Sequence, residues 1–330
     1  MFASFKSIGS YVPEKKLTNF DLEKIVDTSD EWIKKRTGIE VRHIANHDQA
    51  TSDLAYEAAK IAIKRANIDK NDIDAVILAT ISPDYLCMPS TACLVADKLG
   101  IKNIMAFDIS AACSGFVYSL SIAKSFIESG LKKNILVIGA EKLSAITNYK
   151  DRGTCVIFGD GAGAAVIGKT EDKNEAILDV MASSDGKYSD LLITPGGGSK
   201  YPASNETLKK EMHFMRMAGN ETFKIAVKTL TEDVIEILRR NNLTSSDVDR
   251  FIPHQANYRI IEYVRNKLDF PKNKTVLTVA KYGNTSAASI PMAINDAYEN
   301  NNLKYGDLML LDTFGGGLTW GSALVRFALK

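Results

Sequence analysis

The chain of 330 residues is long enough to form one large domain or two, with a substantial hydrophobic core. Its 45% hydrophobic and 25% charged residues are ordinary globular values, and its formal net charge of +1 argues against bulk binding to nucleic acid. The sequence shows neither a signal-peptide core nor an apolar run of roughly 18 residues, so we expect a soluble, cytoplasmic protein. Its four cysteines show no C-x-x-C spacing and are predicted to be free thiols.

A strand and two short helices are predicted at the start of the chain. Residues 2–9 are predicted to form the strand. Asn19 is expected to cap a helix over residues 21–26, and Ser29 a second helix over residues 30–37. On the second helix Trp32 and Arg36 are four residues apart, so they share a face and can present an aromatic ring with a cation beside it. A tryptophan that covers the core beside a solvated arginine is an equal alternative.

A helix-then-strand order follows, which is typical of an α/β sheet. The helix is predicted over residues 52–66 from its row of alanines, and the strand over residues 75–81. A further apolar run, residues 104–109, leads into Asp-Ile-Ser-Ala-Ala-Cys-Ser-Gly, and helical spacing resumes over residues 116–127. Cys113 therefore lies where a strand passes into a helix.

Cys113 is a candidate nucleophile because of that position. The positive end of the helix dipole and the free backbone N–H groups favour a thiolate, so the pKa of Cys113 is expected to be lowered. Its neighbours are small, which lets a substrate approach closely. The alternative is strong, since free cysteines are among the most buried residues and usually serve as inert packing.

Two pairs of segments indicate an internal repeat. Residues 67–77 and 242–252 share the pattern Asn-apolar, three residues, Asp-apolar-Asp and an apolar strand, at an offset of 175. Residues 131–138 match residues 303–310 at an offset of 172. We interpret the chain as two copies of one α/β unit, residues 1–170 and 175–330, joined by a charged linker; chance similarity of two helix-turn-strand segments is the alternative.

The repeat predicts where the two halves meet. An offset of 172 carries Cys113 onto Thr285, next to Asn284 in Tyr-Gly-Asn-Thr-Ser-Ala-Ala-Ser. If the halves pack about a pseudo-twofold axis, the two strand-to-helix junctions face each other at the seam, where α/β proteins tend to place their sites.

Other candidates for chemistry lie in the second half. His254 follows a buried-looking strand, although a lone histidine is usually structural. The glycines of Phe314-Gly-Gly-Gly follow another strand and can offer backbone amides to an oxyanion, a plain glycine turn being the alternative. His43 and His47 are four residues apart but lack further ligands at metal-binding spacing, so no metal site is expected. A thiolate, a histidine, an asparagine and glycine amides suit acyl-thioester chemistry.

Four ordered motifs then identify a family. They are Ala-Ala-Cys-Ser-Gly-Phe, Pro-His-Gln-Ala-Asn, Gly-Asn-Thr-Ser-Ala-Ala-Ser and Phe-Gly-Gly-Gly-Leu-Thr-Trp-Gly-Ser-Ala. Together they closely resemble β-ketoacyl-acyl carrier protein synthase III, and the resemblance covers nearly the whole chain. It implies a thiolase-like α/β fold of two duplicated halves in an αβαβα arrangement, and a homodimer that needs no cofactor because acyl-CoA is its substrate.

The activity that the resemblance implies is a decarboxylative Claisen condensation of an acyl-CoA primer, most often acetyl-CoA, with malonyl-acyl carrier protein. The products are 3-oxoacyl-acyl carrier protein, CoA and CO2, and the reaction initiates type II fatty-acid synthesis. By resemblance, Cys113 takes the acyl group, and His254 and Asn284 donate hydrogen bonds to the malonyl thioester carbonyl. The backbone amides of Cys113 and Gly316 would hold the tetrahedral oxyanion.

The resemblance also implies residues for three binding surfaces. The CoA arm is expected to comprise Trp32, Arg36, Thr37, Arg152 and Asn257. The carrier-protein patch is expected to comprise Lys224, Arg259 and Lys267, with Asn266 standing where some members have a second lysine. The acyl-pocket wall is expected to comprise Met88, Leu143, Phe158, Leu192 and Met215, with Met88 reaching across the dimer interface, where its flexibility would admit a longer or branched acyl group.

Four alternatives remain at this point. The first is a secondary-metabolite ketosynthase of the same fold with a different primer or acceptor. A biosynthetic thiolase is disfavoured because Asn284 stands where its second cysteine would be. A papain-like cysteine hydrolase also orders Cys, His and Asn this way, but the duplicated architecture argues against it. The last is a non-catalytic module that binds CoA or acyl thioesters.

Overall fold

The computed structural model describes residues 1–329. Its strands are β1 (Phe2–Tyr11), β2 (Lys16–Thr18), β3 (Val41–His43), β4 (Ala75–Ala79), β5 (Met105–Ile109), β6 (Asn134–Glu141), β7 (Gly161–Thr170), β8 (Ile177–Ser184), β9 (Leu192–Ile193), β10 (Arg216–Met217), β11 (Arg250–Pro253), β12 (Leu308–Gly315) and β13 (Thr319–Arg326). Its α-helices are α1 (Asn19–Leu22), α2 (Asp30–Thr37), α3 (Thr51–Ala66), α4 (Thr91–Leu99), α5 (Gly115–Glu128), α6 (Arg152–Cys155), α7 (Asn205–Lys209), α8 (Gly219–Arg240), α9 (Tyr258–Lys267), α10 (Val279–Tyr282) and α11 (Ser289–Glu299). None of the helices in this range is both long and apolar enough to cross a membrane.

Two mixed sheets, which share the order of four strands, form the frame. The first has the order β1-β7-β6-β4-β5, and the second has the order β11-β12-β13-β8. In the shared part, one parallel pair (β4 with β6, β11 with β12) is followed by two antiparallel pairings. The first sheet has one more strand, β5, which pairs parallel with β4 at the edge. The strands of the first sheet come from residues 2–170 and those of the second from residues 177–326, so the chain builds one pattern twice.

Helices fill the space between the sheets and cover both outer faces. The apolar sides of α5 and α11 pack with inward-facing residues of both sheets, such as Ile77 and Met309, in one continuous core. The helices α3 and α4 cover the far face of the first sheet, and α8 and α9 cover the far face of the second. The predicted αβαβα layering is thus confirmed. Burial drives it, because each sheet is apolar on both faces and requires a helical layer on each side.

The backbone repeats in detail where the sequence repeats. Asn67 and Asn242 both adopt left-handed φ angles, +52° and +53°, before their strands. Ala112 and Ser286 do the same, at +46° and +49°, at the start of the short 3-10 turns that lead into α5 and α11. Matching these turns sets the offset at this point of the chain to 174.

That offset corrects the predicted counterpart of Cys113. The residue at the equivalent place is Ala287, two positions beyond Thr285. The error arose because the offset of 172 was taken from residues 131–138, whereas the ladders equate Ile135 with Met309, an offset of 174. The prediction that the two junctions face each other is confirmed, since a Cβ on Gly115 would lie 3.4 Å from the Cβ of Ala287.

The capping predictions had mixed outcomes. Helix α2 spans the predicted residues, and the Ser29 hydroxyl accepts a hydrogen bond from the Trp32 amide at 3.1 Å. The cap predicted at Asn19 is wrong, because Thr18 caps α1 in a capping box with Asp21. Asn19 is instead buried, and its amide donates to the carboxylate of Asp30.

Candidate active site

One cavity of about 560 Å³ joins the surface to the junction between the halves. Its outer end is lined by Trp32, Arg36 and Asn257, and its inner end by Cys113, His254 and Asn284. The structure therefore brings together the three predicted catalytic residues, which are contributed by separate junctions of the two halves. Because the lining runs from exposed side chains to buried ones, the cavity can admit one part of a substrate while another part stays at the surface.

Cys113 lies in the 3-10 turn between β5 and α5 and is 6% exposed. Glycines let the chain pack around it, since a Cβ on Gly315 would come within 2.6 Å of the Cys113 amide nitrogen. The expected lowering of its pKa is wrong: burial above all, with a smaller contribution from the nearby Glu141 carboxyl, raises the pKa of Cys113 to about 12. Desolvation of the thiolate outweighs the helix N-terminus, so the resting side chain is a thiol.

His254 follows β11 and is held neutral. Its Nδ1 lies 2.5 Å from the Ser289 hydroxyl, which also accepts a hydrogen bond from the Gln255 amide. When the Ser289 hydroxyl donates its own proton to Nδ1, the ring proton lies on Nε2. Burial lowers the pKa of His254 to about 3. The site thus has an uncharged imidazole that can donate from Nε2.

Asn284 is fixed through both its backbone and its side chain. Its amide and carbonyl bond Ile157 and Gly159 at 3.0 Å each. Its Oδ1 accepts a hydrogen bond from the Ser286 amide at 2.8 Å, so the side-chain oxygen is occupied and the NH2 group is the end that a ligand can meet. Asn284 and His254 both line the cavity, so both can donate hydrogen bonds into it.

The glycine segment after β12 closes the inner end. Gly315 lines the cavity and packs on Cys113, and the side chain of Thr313 donates to the Cys113 carbonyl at 2.9 Å. Gly316 follows directly and packs against Leu192. Its role as an oxyanion donor stays a prediction.

The outer end carries the residues predicted for the CoA arm. The Arg152 guanidinium lies 4.9 Å above the Trp32 ring, and that of Arg36 lies 5.6 Å from it. Asn257 caps α9 and donates to the Arg36 carbonyl at 3.1 Å, and Thr37 completes this wall. The structure places all five residues at one mouth, where an aromatic ring with cations beside it suits a nucleotide base.

Two residues of the predicted carrier patch lie at the same mouth. Lys224 and Arg259 line it, and the Arg259 guanidinium lies 5.4 Å from the Phe223 ring. Lys267 is exposed in the last turn of α9. Arg265, the neighbour of Asn266, is 8% exposed and pairs with Glu262 at 2.8 Å, so it adds nothing to this surface.

Four of the five residues predicted for the acyl pocket form one cluster. Leu143, Phe158 and Met215 are buried together, with Leu192 packed against them. Met88 is 79% exposed and lies outside this cluster. Met88 is therefore not part of the pocket wall within one chain. The role of Met88 across a dimer interface stays a prediction.

Sequence reasoning missed three residues that support this site. Ser289 orients His254, Ser286 orients Asn284, and Glu141 lies buried at the end of β6 beside Cys113. The two serines stand in the quoted Gly-Asn-Thr-Ser-Ala-Ala-Ser motif, and their spacing from Asn284 was the available signal. Glu141 had a weaker signal, a charged residue at the end of an otherwise apolar strand.

Comparisons with known proteins agree with this geometry. Residues 107–186 match the family described as 3-oxoacyl-[acyl-carrier-protein (ACP)] synthase III, and residues 238–327 match its C-terminal part. The chain is 64% identical over 329 residues to β-ketoacyl-[acyl-carrier-protein] synthase III of Campylobacter curvus, covering 99% of this chain and 98% of the relative. The crystal structure of 3-oxoacyl-[acyl-carrier-protein] synthase III from Aquifex aeolicus is 48% identical with a TM-score of 0.91, covering 98% and 100% of the two chains. That from Pseudomonas aeruginosa is 39% identical with a TM-score of 0.91, covering 99% of each.

Proposed function

The chain belongs to the 3-oxoacyl-[acyl-carrier-protein] synthase III family, and from this we propose that it condenses an acyl-CoA primer with malonyl-acyl carrier protein to initiate fatty-acid synthesis. The products are 3-oxoacyl-acyl carrier protein, CoA and CO2. The primer is acetyl-CoA in this proposal. The observation that carries the proposal is the meeting of Cys113, His254 and Asn284 at the inner end of one cavity.

In the first half-reaction Cys113 takes the acyl group. The adenine of acyl-CoA binds at the Trp32 end, and the pantetheine arm follows the cavity inwards. The Cys113 sulfur attacks the thioester carbonyl, and the backbone amides of Cys113 and Gly316 stabilise the oxyanion. One thioester replaces another, so the acyl group stays activated.

In the second half-reaction His254 and Asn284 act on the malonyl thioester. Carrier protein docks on Lys224, Arg259 and Lys267, which are exposed beside or near the mouth. The two donors stabilise the enolate that forms as CO2 leaves. Its carbon attacks the acyl-Cys113 carbonyl, and the bond from that carbonyl to the Cys113 sulfur breaks, which regenerates the free cysteine. A neutral imidazole suits this role, because its N–H group can donate a hydrogen bond to the enolate oxygen while the ring stays uncharged.

The proposal is tested by separating the half-reactions. Radiolabelled acetyl-CoA should label Cys113 and leave the buried Cys155 unlabelled, as peptide mapping would show. His254→Ala should keep this acylation but lose release of labelled CO2 from malonyl-carrier protein. Label on Cys155 would remove the nucleophile assignment, and equal loss of both steps in His254→Ala would make the histidine a general base for acylation.

A secondary-metabolite ketosynthase is not favoured as the alternative. Curated relatives 60–64% identical over nearly the whole chain carry the name β-ketoacyl-[acyl-carrier-protein] synthase III. The homodimer remains part of the proposal. It is supported by the exposed edge strand β5 and by the adjacent loop, which exposes Tyr85, Leu86 and Met88. The cytoplasmic location stays a prediction.

A further inference from the structure

Glu141, which the steps above do not use, is a fully buried carboxyl group beside the nucleophile. It ends β6 and accepts hydrogen bonds from the Thr80 hydroxyl at 3.1 Å, the Ser82 hydroxyl at 2.5 Å and the Ile81 amide at 3.1 Å. Burial raises the pKa of Glu141 to about 7 in spite of these donors. A group that changes charge near neutral pH is therefore held in the interior, next to Cys113.

The short turn that begins at Ser286 packs on both β6, which ends in Glu141, and the turn that carries Cys113. The Ser286 hydroxyl lowers the pKa of both Glu141 and Cys113, so it is within reach of each. Neither contact has the geometry of a formed hydrogen bond at rest, and the Ser286 hydroxyl is a buried group without another partner in residues 1–329. Catalytic hydrogen bonds are often loose before substrate binds.

The left-handed turn at Ser286 does not require a hydroxyl. The residue is 1% exposed and holds a left-handed φ of +49°, which costs a non-glycine residue free energy. Its counterpart in the first half, Ala112, holds the same turn at +46° with no hydroxyl. The turn therefore forms without a serine. What distinguishes Ser286 from Ala112 is a buried hydroxyl that has no hydrogen-bond partner within residues 1–329.

Glu141 and Cys113 behave as a pair that carries one negative charge. The Glu141 carboxylate raises the pKa of Cys113, so a thiolate and a carboxylate together are disfavoured. A single hydroxyl can donate to only one of them at a time. Two arrangements result: a thiol with a carboxylate, and a thiolate with a carboxylic acid, related by the movement of two protons through Ser286.

We propose that Ser286 and Glu141 form the proton path for acylation of Cys113, a step that rests on the function proposed above. As the sulfur attacks the thioester carbonyl, its S–H bond breaks and the proton passes to the Ser286 oxygen, while the Ser286 proton passes to Glu141. The bond from carbon to the CoA sulfur then breaks, and the leaving thiolate receives a proton back by the same path. Cys113 becomes acylated, CoA leaves as a thiol, and Glu141 returns to a carboxylate. Ser286 contacts the reacting sulfur, and Glu141 acts through it.

Other titratable groups near this path have different roles. Lys142 follows Glu141 but directs its ammonium to the carbonyls of Asn46 and Gln49. His254 is neutral, and its Nδ1 is engaged by Ser289. Glu141 is therefore the group facing Cys113 that is poised to exchange a proton near pH 7.

The test measures single-turnover acylation of Cys113 by labelled acetyl-CoA between pH 5.5 and 9. In the wild-type enzyme the rate should rise to a plateau with a midpoint near pH 7. In Ser286→Ala and Glu141→Gln it should fall about 100-fold at pH 7.5, lose that midpoint and climb steadily with pH as an unassisted thiol does. The double variant should be no slower than either single variant. Alanine is acceptable at this turn, as Ala112 shows.

Two controls separate the path from a structural effect. Thr80→Val removes one donor to the carboxylate, so the midpoint should survive and move up by about half a pH unit. Alkylation by iodoacetamide also needs the Cys113 thiolate but returns no proton to its leaving group. Ser286→Ala should therefore remove the midpoint near pH 7 from the alkylation profile as well.

Three results would overturn the path: a midpoint retained in Ser286→Ala, a midpoint unmoved in Thr80→Val, or an alkylation profile that is the same in the wild type and in Ser286→Ala. Absence of label on wild-type Cys113 would remove the proposed function and the path together, whereas label with an unchanged profile in the variants would remove the path alone.

Discussion

Replacing Asp233 by asparagine should stabilise the protein, and increasingly so as pH rises. Asp233 projects from α8 onto the second sheet, where the carboxyl of Asp312 and the hydroxyl of Ser322 are cross-strand neighbours. All three are buried, and both oxygens of Asp312 are without a hydrogen-bond partner within residues 1–329. Burial raises the pKa of Asp233 to about 6 and, together with the charge of Asp233, holds the pKa of Asp312 well above its ordinary value.

The magnitude follows from that displaced titration. When an acid has a higher pKa in the folded state than in the unfolded state, the protein is most stable below the unfolded pKa, here 3.8. The free energy of unfolding then decreases as pH rises and levels off above the folded pKa, near 6. The displacement of about two units corresponds to about 3 kcal/mol at pH 8 and about 1 kcal/mol at pH 4.5. Asparagine has no charge to bury, and its NH2 group can donate to Asp312. Asp233→Asn should therefore gain most of this difference at pH 8.

Thermal unfolding at the two pH values measures the effect. For a chain of this size, 3 kcal/mol corresponds to a rise in Tm of roughly 5 °C at pH 8, with a much smaller rise at pH 4.5. Glu232→Gln is the matched control, because Glu232 is exposed on the same helix and its ion pair with Lys228 is loose, at 3.9 Å. An equal rise at both pH values, or a loss of stability at pH 8, would refute the linkage argument.

Three further predictions concern binding and packing. Trp32→Ala should raise the KM for acyl-CoA about tenfold, since it removes the ring that two guanidinium groups flank, while Trp32→Phe should keep most of the affinity. Arg259→Glu should raise the KM for malonyl-carrier protein and leave the KM for acyl-CoA unchanged. Lys304→Glu, on another exposed surface, is the control. An unchanged KM for malonyl-carrier protein would exclude Arg259 from the interface. Phe251→Ala should lower the free energy of unfolding by about 3–5 kcal/mol, measured by denaturant titration, because Phe251 is fully buried and stacks on Phe270 at 4.5 Å.

The sequence predicted the architecture well because its signals were repeated and periodic. The segments around Asn67 and Asn242 indicate the duplication by themselves, and the structure shows both asparagines with the same left-handed φ. The offset to the second junction was wrong by two residues, because a spacing measured on one pair of segments does not fix the loop lengths before the next. The cap at Asn19 failed for a different reason: Thr18, with Asp21 three residues on, offers a complete capping box.

The chemistry of the site was less predictable from sequence. Cys113 was expected to have a lowered pKa from its position at a helix start, but local position says nothing of how deeply the fold buries it. The partners that tune the site, Ser289 for His254 and Ser286 with Glu141 for Cys113, are brought together only by tertiary packing. Conversely, Trp32 and Arg36 were correctly placed on one face, because both lie on a single helix.

The shared middle layer of the fold has a consequence for how the protein is made. The helices α5 and α11 are buried against both sheets, so each half supplies one wall of a core that the other half completes. As the chain emerges from the ribosome, the apolar face that the first sheet and α5 present to the shared core stays exposed until the second half is synthesised. We expect this interval to be the time of greatest need for chaperone protection, and the two halves to unfold together in one cooperative transition.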